Sequence, residues 1–246
     1  MVDTIKSISA VTHGVTGTIL LNGAVDGFPN PTSTVVMDGF TSSDTTPAKY
    51  SVFRIGGSTT QVYQVLSISG TGTNRTITCT PQILIDIADN TAVTFGPDYT
   101  SISAWETATS IAITTGTRLI GEVWGGAALD GEVGISGATG TLSATTCRIL
   151  RSGYGQQYDP INRTGAYIKK ATPLTSGLLV IAESFFQVYG LGFLQDFTTE
   201  SAANWRLLYV LSGQNVEIHH CFVKVTALPS SSSGITGSAL YFPTSQ

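Results

Sequence analysis

The sequence predicts an all-β protein, with a small N-terminal β-sandwich or barrel followed by a strand-built solenoid. Three observations predict it. Only 11% of the 246 residues are Asp, Glu, Lys or Arg, less than half the roughly 25% of an ordinary domain, and Ser, Thr, Gly and Asn take their place. Short apolar runs broken by tight-turn signals fill the first part of the chain, and a regular internal spacing runs through the second half. Uncharged polar β-formers with many glycines suit strands and turns, and suit helices poorly. The apolar fraction of 41% is enough for a real core at this length.

The predicted N-terminal domain spans residues 1–97. Thr18-Ile-Leu-Leu21 is followed by the turn dipeptide Asn22-Gly23, and Thr34-Val-Val-Met37 runs into Asp38-Gly39. Tyr50–Ile55 alternates and stops at Gly56-Gly57. Gln61–Ile68 stops at Gly70–Asn74, Arg75–Thr80 resumes beyond it, and Thr91–Phe95 closes the set. The segment Gln82–Ala88 reads equally well as a helical turn or a strand. Gly96-Pro97-Asp98 marks the boundary.

Ser101-Ile-Ser-Ala-Trp-Glu-Thr-Ala108 is the best helix candidate, with Ser101 or Ser103 as its cap. Strands then return. Gly177–Phe193 aligns without a gap on Leu207–Val223, placing Leu178 on Leu208, Val180 on Val210, Val188 on Ile218, Leu191 on Cys221 and Phe193 on Val223. Ile120, Ile149, Leu179, Tyr209 and Leu240 extend the spacing at near-equal intervals, a period of about 30 residues. A constant period of this kind lets equivalent inward side chains stack from coil to coil, and these positions predict about five coils. Residues 151–176 and 224–237 are polar and read as loops thrown out from them.

Asp98-Tyr-Thr-Ser-Ile-Ser-Ala-Trp-Glu106 resembles the entry helix of right-handed parallel β-helix proteins common among bacteriophage virion and tail proteins. Phe185-Phe-Gln-Val-Tyr-Gly-Leu-Gly-Phe193 and Asn215-Val-Glu-Ile-His-His-Cys-Phe-Val223 are similar to rungs of that family. The resemblance covers roughly residues 98–245, and its motifs are structural. It implies a tailspike-like architecture, a particle-anchoring N-terminal domain, self-association as a homotrimer, and location in a virion made in the host bacterial cytoplasm. The chain stops at Tyr241–Gln246 where such proteins usually continue for further coils, so the expectation is a very short β-helix, a fragment, or a remainder supplied by a partner.

Net charge is −4, and the 12 basic residues are spread thinly. Lys169-Lys170, with Arg163 upstream, is the nearest approach to a basic cluster, so nucleic acid is not an expected partner. The first residues lack a signal-peptide core and the longest apolar run, Leu178–Ala182, is far short of a membrane span. The three cysteines form no motif and are expected to be reduced, as small core hydrophobes. No nucleotide-loop, zinc-protease or nucleophile-elbow motif is present. His219-His220 are adjacent, and strand neighbours point to opposite faces, which argues against a shared metal ion.

Carboxylates for sugar cleavage would have to come from Asp130 with Glu132, or from Glu183, Asp196, Glu200 and Glu217, brought together by stacked coils. None is singled out by spacing, so no catalytic, cofactor-binding or metal residue is assigned and no cofactor is expected. Among the aromatic residues Trp124, Tyr154, Tyr158, Tyr167 and Trp205, the candidate glycan contacts are Tyr154, Tyr158 and Trp205. The expected function is that of a non-enzymatic virion structural protein, a tail fibre, spike or capsid decoration subunit, whose partners are other virion proteins. The alternative is a β-helix polysaccharide depolymerase or a receptor-recognition protein that binds a host surface glycan.

Overall fold

A computed structural model describes residues 1–11, 13–15, 18–41, 47–57, 61–170, 177–196, 204–212, 215–226 and 236–241. Strands dominate and one α-helix is present among these residues, so the all-β class holds. The chain divides into two compact units, Val11–Asp98 and the remainder, Met1–Ala10 with Tyr99–Gln246.

The first unit is a closed six-stranded antiparallel barrel. Its strands are β2 (Ile19–Leu21), β3 (Thr32–Asp38), β4 (Val52–Ile55), β5 (Tyr63–Ser69), β6 (Arg75–Ile83) and β7 (Ala92–Phe95), paired around the circle as β2-β3-β6-β5-β4-β7. Each falls on a run that the turn signals delimit. Gly56 and Gly57, for example, take the positive φ that the β4–β5 hairpin needs. Alternate side chains point inward, and Leu21, Met37, Phe53, Val65, Ile77 and Phe95 make one core. Of the undecided Gln82–Ala88, the first two residues finish β6 and Ile87 bridges to Val25.

The second unit begins with β1 (Val2–Ile8), which pairs in parallel with β8 (Thr117–Val123) across the full length of both. The N-terminal strand therefore belongs with the strands beyond residue 98, and not with the domain expected over residues 1–97. A strand's own sequence does not say which sheet it joins, and β1 finds its partner far downstream, on the other side of the whole barrel segment.

Helix α1 (Ile102–Thr109) follows, capped by Ser101, whose Oγ accepts the Ala104 amide at 3.1 Å. After β8 come β9 (Leu129–Asp130), β10 (Val133–Ile135), β11 (Cys147–Ser152), β12 (Tyr167–Lys169), β13 (Leu179–Ala182), β14 (Gln187–Tyr189), β15 (Gly192–Asp196), β16 (Asn204–Ser212), β17 (Glu217–His219), β18 (Phe222–Thr226) and β19 (Thr236–Tyr241). They form three parallel sheets, ordered β1-β8-β11-β14-β17, β9-β12-β15-β18 and β10-β13-β16-β19. From β8 onward the chain visits the first, second and third sheet in turn, four times over. All three contribute to one core: Val123, Leu150 and Val188 from the first, Leu129, Ile168 and Phe193 from the second, Ile135, Ile181 and Val210 from the third. Ile102 and Trp105 of α1 are buried in the same cluster.

Register agrees with the sequence alignment in two sheets and departs from it in the third. Val188 pairs with Ile218 and Phe193 with Val223, as expected. In the third sheet Leu208 pairs with Leu179 and Val210 with Ile181, rather than with the expected Leu178 and Val180. Such a single-position slip exchanges the faces of a strand, and a bulge before Ser212 restores the period. The set Ile120, Ile149, Leu179, Tyr209, Leu240 also mixes sheets. Ile120 and Ile149 pair with each other, but Ile149 next pairs with Gln187, well beyond one period, and Leu179 belongs to the third sheet. The intervening loop 153–166 lengthens that circuit.

Corners repeat more faithfully than strands. Phe185 and Asn215 both have positive φ, at 60° and 57°, and so do Gly190 and His220, at 67° and 53°. The members of each pair are one period apart in sequence and flank equivalent strands.

Candidate functional site

Three groups of chemistry-bearing side chains stand out in the parallel unit. The first is buried. Arg148 on β11 is wholly inaccessible, and its Nε donates to Glu183 Oε1 at 3.0 Å while Nη2 donates to Glu183 Oε2. Its Nη1 donates to Thr109 Oγ1 at 3.2 Å, and Nη2 also donates to the Ser136 carbonyl at 2.8 Å. The carboxylate of Glu106 lies 3.6 Å from Nη1 and accepts from Ser110 Oγ and the Ser136 amide. A planar guanidinium suits this task because its five donors can serve several partners at once. The group joins α1, the residues after β10, β11 and the end of β13.

The second group lies on the outer face of the first sheet, where parallel register lines equivalent residues up in columns. Arg118 grips Asp3 through two bonds of 2.8 and 2.6 Å, and this partner holds the Asp3 carboxyl below its ordinary range. Arg151 Nη2 reaches Glu122 Oε1 at 2.6 Å. Further along, Tyr189 stacks on His219 at 5.1 Å and 8°. The Tyr189 hydroxyl lies 3.2 Å from both Gln187 Oε1 and Glu217 Oε2, and His219 Nε2 lies 3.5 Å from Glu217. Burial, and then the hydrogen bond to Glu217, push the Tyr189 phenol up. Phenol, imidazole and carboxylate together offer hydrogen-bonding groups suited to hydroxyl-rich ligands, whereas Gln187 is buried. Sequence reasoning passed over Gln187, Tyr189 and Arg151, although the period that links Tyr189 to His219 and Gln187 to Glu217 marks two of them.

The third group covers the second sheet. Tyr167, Gly192 and Phe222 form one outward column. A Cβ at Gly192 would meet Tyr158 Cγ at 2.6 Å, so the missing side chain makes the seat for that ring. Tyr158 stacks on Phe222 at 5.5 Å and lies 5.8 Å from Tyr167. Of the predicted glycan contacts, Tyr158 thus pins its loop to the sheet, whereas Tyr154 is 71% exposed. The backbone of Trp205 lies in β16, and its side chain is outside the described residues. Trp124 is buried against Gly153 and Tyr167 is half-buried.

Three of the carboxylates considered for sugar cleavage are engaged by other side chains. Glu132 has φ 69° and follows the end of β9, so it shares no strand face with Asp130, and it is ion-paired with Lys170. Glu183 is engaged by Arg148, and Glu217 by Tyr189. The Asp196 side chain and all of Glu200 are outside the described residues. His219 lies on β17, but His220 turns the corner after it, and the two rings are 6.5 Å apart. Among the described residues no three His, Cys, Asp or Glu side chains converge as metal ligands. Cys79 and Cys147 are buried, Cys221 half-buried, and all three thiols are free. No helix among the described residues is long and apolar enough to cross a membrane. No protein-family model matches the sequence, and no curated protein matches it.

Proposed function

We propose that this chain is a non-enzymatic structural protein of a bacteriophage virion, a tail-fibre, spike or capsid decoration subunit. In this reading the parallel unit is a right-handed parallel β-helix, the barrel attaches the chain to other virion proteins, and the protein works as a homotrimer. The carrying observation is the cyclic order of three parallel sheets around one core, with α1 packed into that core. Such a winding hydrogen-bonds every inner strand on both edges, which suits a protein that must resist unfolding outside a cell. The occupation of Glu183 by Arg148 and of Glu132 by Lys170 supports a role without catalysis. The outer face of the first sheet and the exposed Tyr154 favour a second reading, recognition of a host surface glycan.

Light scattering on a sizing column, with an unboiled gel alongside, tests the first reading. The expected mass is three times 25.8 kDa, in a form that resists detergent. A monomer that also cleaves a bacterial polysaccharide would overturn it in favour of a depolymerase. A glycan array tests the second reading, and binding that survives Tyr189→Ala and Tyr154→Ala together would sink the surface assigned to it.

A further inference from the structure

We infer that the barrel carries a protein-docking surface centred on Phe28, Leu84 and Ile85, and that its partner offers an apolar pocket rimmed by Lys or Arg. This deepens, and for its biological setting rests on, the anchoring role proposed for the barrel. The three side chains are 72%, 59% and 60% exposed, more than any other large apolar side chain described in the barrel. They lie on two segments held side by side. Val25 and Ile87 exchange two backbone bonds of 2.8 Å. The Phe28 amide donates to Asp86 Oδ1 at 3.0 Å. Gly27 touches the backbone of Ile85 so closely that a Cβ there would meet the Ile85 carbonyl oxygen at 2.3 Å. The apolar group is thus fixed in place before any partner arrives, which lowers the entropy cost of binding.

Charge around it selects the partner. Asp26, Asp86 and Asp89 lie on the same two segments, and no Lys, Arg or His occurs between His13 and Lys49 or between Arg75 and Asp98. The barrel's own cations are engaged elsewhere. Arg54 pairs with Asp98 at 2.6 Å, Lys49 sits over the Tyr50 ring, and Arg75 sits over the Phe40 ring. Arg75 begins β6 and Ile83 ends it, which separates them by about 26 Å. An apolar centre with Asp26, Asp86 and Asp89 on its own two segments, and no basic residue on either, fits a basic-rimmed pocket, and it disfavours a second copy of itself, because two sets of carboxylates would then face each other.

The test uses the full chain with three synthetic peptides of alternating residues, Leu/Lys, Leu/Glu and Ser/Lys, followed by amide chemical shifts. The Leu/Lys peptide is expected to shift Val25–Asn30 and Ile83–Asp89 and to bind more tightly than the other two. Phe28→Ser with Ile85→Ser should weaken it about tenfold, and added salt should weaken it further. Asp26→Lys, which disturbs no core residue, should narrow the preference for Leu/Lys over Leu/Glu even if the serine variant folds poorly. Equal binding of Leu/Glu, or shifts confined to residues 99–246, would overturn the proposal. So would a dimer that Phe28→Ser dissociates, since the occupant would then be a second copy. A trimer with no shift at these amides removes the docking surface and leaves the virion reading standing, whereas a monomer with the expected shifts does the reverse.

Discussion

Arg148 is a charged side chain with no solvent contact, and its stability effect depends on every donor being satisfied. Glu183 takes two of its N–H groups, and Thr109, the Ser136 carbonyl and the Glu106 carboxylate surround the rest. Removing one member of such a set leaves the other charge buried and unpaired, which costs about 3–5 kcal/mol. Replacing both by apolar residues of similar size costs much less. Arg148→Met alone is therefore expected to lower the urea midpoint of the parallel unit sharply, and Arg148→Met with Glu183→Leu to recover most of that loss. A double variant whose loss equals the sum of those of Arg148→Met and Glu183→Leu measured singly would show that the pair is not coupled. Nothing in the sequence near Arg148 foretells this. The cluster draws residues from four separate stretches, and only the fold brings them within reach.

Elements were legible where their own residues decide them. All six barrel strands fall on runs bounded by Gly, Asn or Asp, because a hairpin turn imposes its chemistry locally. Helix α1 was legible from its serine cap and its Trp105. The third sheet's register was not, since Leu178-Leu-Val-Ile and Leu207-Leu-Tyr-Val-Leu are continuous apolar runs in which a single-position shift scores as well as the true pairing. The barrel's interior also carries a pH dependence that belongs to paired strands. Cys79 on β6 and Tyr63 on β5 are pushed up by burial, each to about 12. Folding favours their protonated forms, so this contribution is complete below the ordinary thiol range near 9 and is lost as pH rises towards 12. Stability of the barrel, followed by its own resonances in urea, should fall across that interval, and Cys79→Val should flatten the fall. An unchanged slope in the variant would assign the alkaline loss to other groups.

At the scale of the whole molecule, the barrel enters as an excursion from the parallel unit. The chain leaves after β1 and returns at Tyr99, where the Ser9 amide donates to the Tyr99 carbonyl at 3.1 Å and the Tyr99 amide to the Ser7 carbonyl at 3.0 Å. The two ends of the insertion are thus already joined inside the parallel unit, and β1 keeps its full pairing with β8 without any residue from 11 to 98. The barrel, for its part, closes its own ring of strands and buries its own core. Both properties predict that the units fold independently. Replacing residues 11–98 by a short Gly-Ser linker should leave a soluble chain with the strand-rich circular dichroism and hydrogen-exchange protection of the parallel unit. The isolated segment 11–98 should fold alone, and the full chain should melt in two steps that match the two pieces. A single cooperative transition of the full chain, with either piece unfolded by itself, would mean that the units stabilise each other and that the loss of β1's neighbour in sequence matters as much as the loss of its neighbour in space.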